Sequence, residues 1–191
     1  AVTRIAVAGA AGKMGRTLIQ TIVNSEGLEV TAALEREGLS VIGADAGEVA
    51  GVGKLNIPIT DRLESVCDDF DILIDFTVAA ATVENMEACA DFGRKMIIGT
   101  TGLSEKDKAR LGDLASTIAV VHASNFSIGV NATFRLLEVA GQIFGDTVDV
   151  EIIESHHRHK IDAPSGTALT MGEIIADSLG RDLQEVAVYG R

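Results

Sequence analysis

The chain has 191 residues, enough for one domain and a small partner, and its hydrophobic share of 47% holds only 4% aromatics and no Trp. Its core must therefore be filled by Ala, Val, Ile and Leu, as in the strands and covering helices of α/β proteins. A net charge of −12 disfavours a nucleic-acid binder or a ligand of anionic membranes, and makes any local basic cluster conspicuous.

In chain order, the run Arg4–Ala8 reads as a buried strand ending in glycine. Met14–Val23 carries Leu18, Ile19, Ile22 and Val23 at helical spacing. Glu29–Leu34 is a second strand. Residues 38–56 hold five glycines and little periodicity, so a loop is expected there. Asp61–Cys67 reads as a short helix with Asp61 at its N-cap. A strand is expected over Asp71–Phe76, a helix over Thr82–Phe92 and a strand over Lys95–Ile98. Ser104 then caps a helix reaching about Ser116, and Ile118–Val121 is the fifth strand.

Strand–helix repetition with short connections forces parallel pairing and right-handed crossovers. The rhythm changes after Phe126. Val130, Phe134, Leu137 and Phe144 mark one face of a long helix. Thr147–Ser155 alternates as a long strand, Thr167–Leu179 is a helix ended by Gly180, and Val186–Tyr189 opens another strand. The expectation is an α/β fold: a Rossmann-type parallel-sheet domain at 1–127, then a smaller α+β substrate and oligomerisation domain at 128–191. Two strands and two helices make that second domain thin, so it is read as C-terminally incomplete.

No run approaches the ~18 apolar residues that span a bilayer, and the first residues read as strand and loop, not as a signal peptide. Cys67 and Cys89 lack metal-site spacing and read as small core residues in a reducing cytosol. The expected location is cytoplasmic, with no nucleic-acid or membrane partner.

Two constellations carry chemistry. The first is Gly9-Ala10-Ala11-Gly12-Lys13-Met14-Gly15, between a strand and a helix. The first glycine makes the tight turn, the second lets backbone approach a diphosphate, and the third allows helix to pack on strand. The spacing is G-x-x-G-x-x-G, and as a lone triplet it would be weak evidence. Glu35, at the end of the second strand, suits the ribose hydroxyls of NAD. Arg36 beside it suits the 2′-phosphate of NADP. Either cofactor, NADH or NADPH, is therefore expected. Gly99, Thr100 and Thr101 after the fourth strand, and Ala123, Ser124, Asn125 and Phe126 after the fifth, stand where the nicotinamide and its ribose would be flanked.

The second constellation is His156-His157-Arg158-His159-Lys160, with three of the four histidines in the chain. Imidazoles, a guanidinium and an ammonium suit a small polyanion and offer proton donors near neutral pH. A metal is disfavoured, because Arg158 and Lys160 would repel a cation and no Cys is near. In an ideal strand His156 and Lys160 would lie about 13 Å apart, so they act together only if the segment curls after Ser155. Asp162-Ala163-Pro164-Ser165-Gly166-Thr167 then marks a helix N-terminus, a place where backbone N–H groups hold a carboxylate.

Together these motifs resemble the dihydrodipicolinate reductase family. The resemblance runs from the first strand to the last residue, and its most specific part is Glu154–Lys160 with the Ser165-Gly166-Thr167 that follows. It implies NADH- or NADPH-dependent reduction of a small cyclic dicarboxylate in diaminopimelate and lysine biosynthesis. It implies proton transfer by His156 and Lys160, substrate binding by His157, Gly166 and Thr167, and cofactor binding by Gly9, Ala10, Ala11, Gly12, Lys13, Met14, Glu35, Arg36, Gly99–Thr101 and Ala123–Phe126. Family members are longer, and homotetramers are expected for the full-length protein. Another two-domain dehydrogenase and a non-catalytic nucleotide sensor remain as alternatives, the sensor having no use for a cluster of proton donors.

Overall fold

A computed structural model describes residues 2–158, 160 and 163–190. His159 and Asp162, which belong to the two motifs of the second constellation, lie outside the described residues. The chain folds as two compact units, 1–123 and 124–191.

The first unit is a six-stranded parallel sheet. Its strands are β1 (Thr3–Ala8), β2 (Leu28–Leu34), β3 (Ile59–Thr60), β4 (Ile72–Asp75), β5 (Lys95–Ile98) and β6 (Val120–His122). Their order across the sheet is β3-β2-β1-β4-β5-β6. Strand order therefore reverses between β1 and β4, the switch point at which open α/β sheets hold ligands. Alternation along β1 feeds two cores. Ile5 and Val7 pack with Ile19 and Ile22 of helix α1 (Lys13–Val23), while Ala6 and Ala8 face Leu73, Met86 and Met96. Both faces are covered, which explains the nearly continuous apolar strands.

The intervening helices are α2 (Ala46–Ala50), α3 (Ala79–Asp91) and α4 (Glu105–Leu114). Ser104 caps α4 in a full capping box with Asp107. The 38–56 segment is not all loop. The Asp45 carboxylate accepts N–H bonds from Gly47, Glu48, Leu55 and Ile57, which caps α2 and ties it to the chain entering β3. The helix expected at Asp61–Cys67 is a 3-10 turn, Leu63–Val66, with no side-chain cap. Arg62, not Asp61, is the N-cap residue, and its N–H donates to the Thr60 hydroxyl at 3.2 Å. Helix α3 starts three residues before the expected Thr82, and β6 starts two after Ile118. The Ile118 N–H still bonds Leu114 O, so it ends the α4 turn and does not open the strand.

The second unit holds α5 (Ile128–Phe144), α6 (Gly166–Ser178) and the short α7 (Leu183–Val186). Gly141 lets α5 approach α6, since a Cβ there would stand 2.0 Å from the Ser178 hydroxyl. The strands expected at Thr147–Ser155 and Val186–Tyr189 are absent among the described residues, and Val186 ends α7. A strand needs a hydrogen-bonded neighbour. No second extended segment of this unit supplies one among the described residues, and Val148, Val150 and Ile152 stay 47%, 48% and 40% exposed. Among the described residues no helix is long and apolar enough to cross a membrane.

Candidate functional site

In the first unit, parallel register aligns the strand ends. Ala8 pairs with Leu34 on one side and Asp75 on the other, Asp75 pairs with Ile98, and Ile98 with His122. Gly9, Glu35, Gly99 and Ala123 each follow one of these residues, so they form a row along the carboxyl edge. With strands about 4.8 Å apart, the row from β2 to β6 spans ~19 Å.

The glycine turn is built as a cradle. Gly9 has φ +67°, a left-handed conformation that favours glycine. A Cβ on Gly15 would stand 2.0 Å from Gly9 O, so α1 lies directly on the turn. Gly12 is the N-cap of α1 and supplies no side-chain cap, which leaves the first-turn N–H groups of Lys13 and Met14 without a capping side chain. A diphosphate fits such an end, both through those donors and through the helix dipole. Glu35 reaches the same turn: its Oε1 accepts the Ala11 N–H at 3.0 Å and its Oε2 the Arg36 N–H at 3.1 Å. Ala10 is buried beneath, with its N–H on Leu34 O. The Arg36 side chain is exposed beside them.

On the other side of the switch point lies a feature that the sequence reading missed. Asp75 ends β4 fully buried and is bonded to Thr77, Asn85 and Thr100. Thr100 is 3% exposed, while Thr101 faces solvent. The signal was an acidic residue closing an apolar strand, but its partners lie up to 25 residues away.

Ser124, Asn125 and Phe126 open the second unit. The Ser124 hydroxyl is 3.3 Å from that of Thr170, and Asn125 Oδ1 accepts the Ser127 N–H at 2.8 Å. Ser127 in turn caps α5. Phe126 is 42% exposed.

The basic segment does curl. Lys160 N–H bonds His157 O at 3.1 Å, closing a turn through Arg158. Lys160 is partly buried and His157 exposed. Glu154, to which the sequence reading gave no role, joins the two motifs. Its Oε2 lies 2.7 Å from His156 Nε2 and its Oε1 accepts the Ser165 N–H at 2.9 Å. Hydrogen bonds from the Ser165 side chain and backbone, then from His156, hold the Glu154 carboxyl down at about 2. Ser165, 4% exposed, caps α6 through the Ala168 N–H. Gly166 and Thr167 are thus the first residues of a helix whose entry is anchored to the histidine segment. Among the described residues, no group of three or more His, Cys, Asp or Glu is arranged to hold a cation.

Comparison with known proteins covers both units. Residues 3–126 match the family profile "Dihydrodipicolinate reductase, N-terminus" and residues 129–189 match "Dihydrodipicolinate reductase, C-terminus". A 4-hydroxy-tetrahydrodipicolinate reductase of Acinetobacter baumannii is 54% identical over 191 residues, 100% of this chain and 70% of that protein. One of the same name from Pseudomonas fluorescens is 54% identical over 189 residues, 98% of this chain and 70% of that protein. Among solved structures, a dipicolinate-bound dihydrodipicolinate reductase from Paenisporosarcina sp. TG-14 superposes with a TM-score of 0.75 at 29% identity. That match covers 93% of this chain and 67% of the other.

Proposed function

The chain belongs to the dihydrodipicolinate reductase family, and from that premise we propose that it reduces 4-hydroxy-tetrahydrodipicolinate with NADH or NADPH, in the route to diaminopimelate and lysine. The observation that carries this reading is the presence, in one chain, of both a glycine cradle at a sheet switch point and an anchored His-and-Lys turn. A nucleotide sensor needs only the first.

When bound, the nicotinamide supplies a hydride. The protein's own residues do the rest. The Gly9–Met14 turn and the start of α1 take the diphosphate. Glu35 accepts from the adenosine ribose, and Arg36 pairs with a 2′-phosphate when there is one. Gly99–Thr101 and Ala123–Phe126 flank the other half. N–H groups at Gly166 and Thr167 and the Thr167 hydroxyl, with His157, hold a ring carboxylate. Lys160 and His156 deliver the proton that accompanies reduction. Glu154 fixes the ring of His156 for that transfer.

Cys67 and Cys89 are free and buried, which suits a reducing cytoplasm. The exposed Ile128, Leu136, Ile143 and Ile153 of the second unit support assembly, as a homotetramer. Calorimetric titration with dipicolinate tests the substrate half. We expect binding that Thr167→Val weakens and Arg36→Ala leaves unchanged. Loss of neither, or of both alike, would detach α6 from carboxylate recognition.

A further inference from the structure

One carboxylate at the end of β4 collects donors from three segments. Asp75 Oδ1 accepts the Thr77 N–H at 2.8 Å, the Thr77 hydroxyl at 2.6 Å and the Thr100 hydroxyl at 3.3 Å. Its Oδ2 accepts the Asn85 side-chain amide at 2.9 Å. The Thr82 hydroxyl donates to Thr100 Oγ1 at 2.8 Å, which directs the Thr100 proton on to Asp75. All of these partners of Asp75 are donors, which suits an acceptor-only carboxylate and leaves no place for an amide nitrogen. Asp75, Thr82 and Thr100 are all buried.

A buried carboxylate is a poor way to gain stability, since its desolvation roughly offsets its bonds and apolar packing would serve as well. What these bonds do is geometric. They tie the β4–α3 turn, helix α3 and the Gly99–Gly102 turn to one point. The Thr77 methyl lies 3.0 Å from where a Gly9 Cβ would stand, so the same knot forms a wall of the glycine turn. Glu35, beyond β2, marks the adenosine side of the switch point. The turns after β4 and β5 lie on the opposite side, where a dinucleotide crossing that point places its other half.

We propose that Asp75 is a positioning residue for the nicotinamide half of the cofactor, holding the Asp75–Val78 and Gly99–Gly102 turns in their receiving shape. This rests on the reading that the chain binds a nicotinamide dinucleotide. ADP-ribose isolates the ring of that half, because it keeps the adenosine, diphosphate and second ribose but lacks nicotinamide. The chain is titrated calorimetrically with NADH and with ADP-ribose, as wild type, Asp75→Asn and Thr82→Val. Asp75→Asn keeps the shape but turns an NH2 toward a donor. Its NADH dissociation constant should rise about tenfold, and that for ADP-ribose by less than about twofold. Thr82→Val, remote and nearly isosteric, should give a smaller selective shift, and it decides the matter if Asp75→Asn loses its circular dichroism. Equal weakening of both ligands, or unchanged NADH binding, overturns the proposal. A wild type that binds ADP-ribose as well as NADH overturns it too and spares the cofactor site. A wild type that binds neither defeats the cofactor reading and this proposal with it.

Discussion

Replacing Gly15 by Ala tests the cradle on which cofactor binding depends. A Cβ at Gly15 would stand 2.0 Å from Gly9 O and 2.7 Å from both the Gly9 carbonyl carbon and the Ala10 α-carbon. All three atoms are backbone, so no side chain can swing aside. Ordinary contact is about 3.5 Å, so α1 must retreat from the turn by roughly 1.5 Å, or the turn must open. Two effects compete. Alanine gains about 1 kcal/mol of helix propensity over glycine. Overpacking against fixed atoms costs about 1–3 kcal/mol, and an overlap this deep belongs at the upper end. The net loss should be about 1–2 kcal/mol, a fall in Tm of roughly 2–4 °C for each kcal/mol in a chain of this length. Gly112 is the control. It is exposed on α4 and nothing lies within 4 Å of its Cβ, so only the propensity gain remains. Gly112→Ala should therefore stabilise by up to about 1 kcal/mol. Urea unfolding followed by circular dichroism, with NADH titration alongside, measures both. Gly15→Ala that equals wild type in stability and NADH affinity would show that α1 does not rest on the turn, and the argument for the cradle would fail.

Other consequences are as specific. Arg36→Ala should weaken NADPH by about 1–3 kcal/mol more than NADH, the scale of a charge-assisted bond to phosphate, and equal losses would remove Arg36 from the 2′-phosphate. The Asp71 carboxyl is held down at about 2, first by the Arg4 side chain. A depressed carboxyl contributes stability that is whole above its ordinary value near 3.8 and lost as pH falls toward about 2. Asp71→Asn should flatten the acid limb of a stability–pH curve over that window, and a curve parallel to wild type would contradict the role of the pair. In the active enzyme, Lys160→Ala and His156→Ala should each lower kcat by about 10²–10⁴-fold with little change in NADH affinity, whereas a rise in KM alone would make the cluster a binding patch.

The first unit was largely legible because its signals are local. Buried parallel strands show as short apolar runs, and glycines at fixed offsets between strand and helix have few other uses. Glu35 could be placed because the second strand of such a unit ends beside the turn. Helix α2 was not legible, since its order comes from one carboxylate, Asp45, gathering N–H groups as distant as Ile57 amid five glycines. The two-residue β3 leaves no periodicity to read. Val148, Val150 and Ile152 do encode a two-faced segment, but alternation specifies only which side faces which way. A ladder needs a neighbour, and sequence spacing does not supply one. Within the site, residues that would touch ligand were visible as motifs. The residues that hold those in place were not. Asp75 acts through Thr82, Asn85 and Thr100, and Glu154 through Ser165, eleven positions on.

The central claim is that this fold reduces a cyclic dicarboxylate at the expense of NAD(P)H. Its most direct test is the loss of NADH absorbance when the enzyme meets 4-hydroxy-tetrahydrodipicolinate made in situ. We expect consumption of one NADH per substrate, slowed by dipicolinate and nearly abolished by Lys160→Ala. A protein that binds NADH and the dicarboxylate yet consumes neither would contradict the claim, leaving a nucleotide-binding fold without the chemistry assigned to His156 and Lys160.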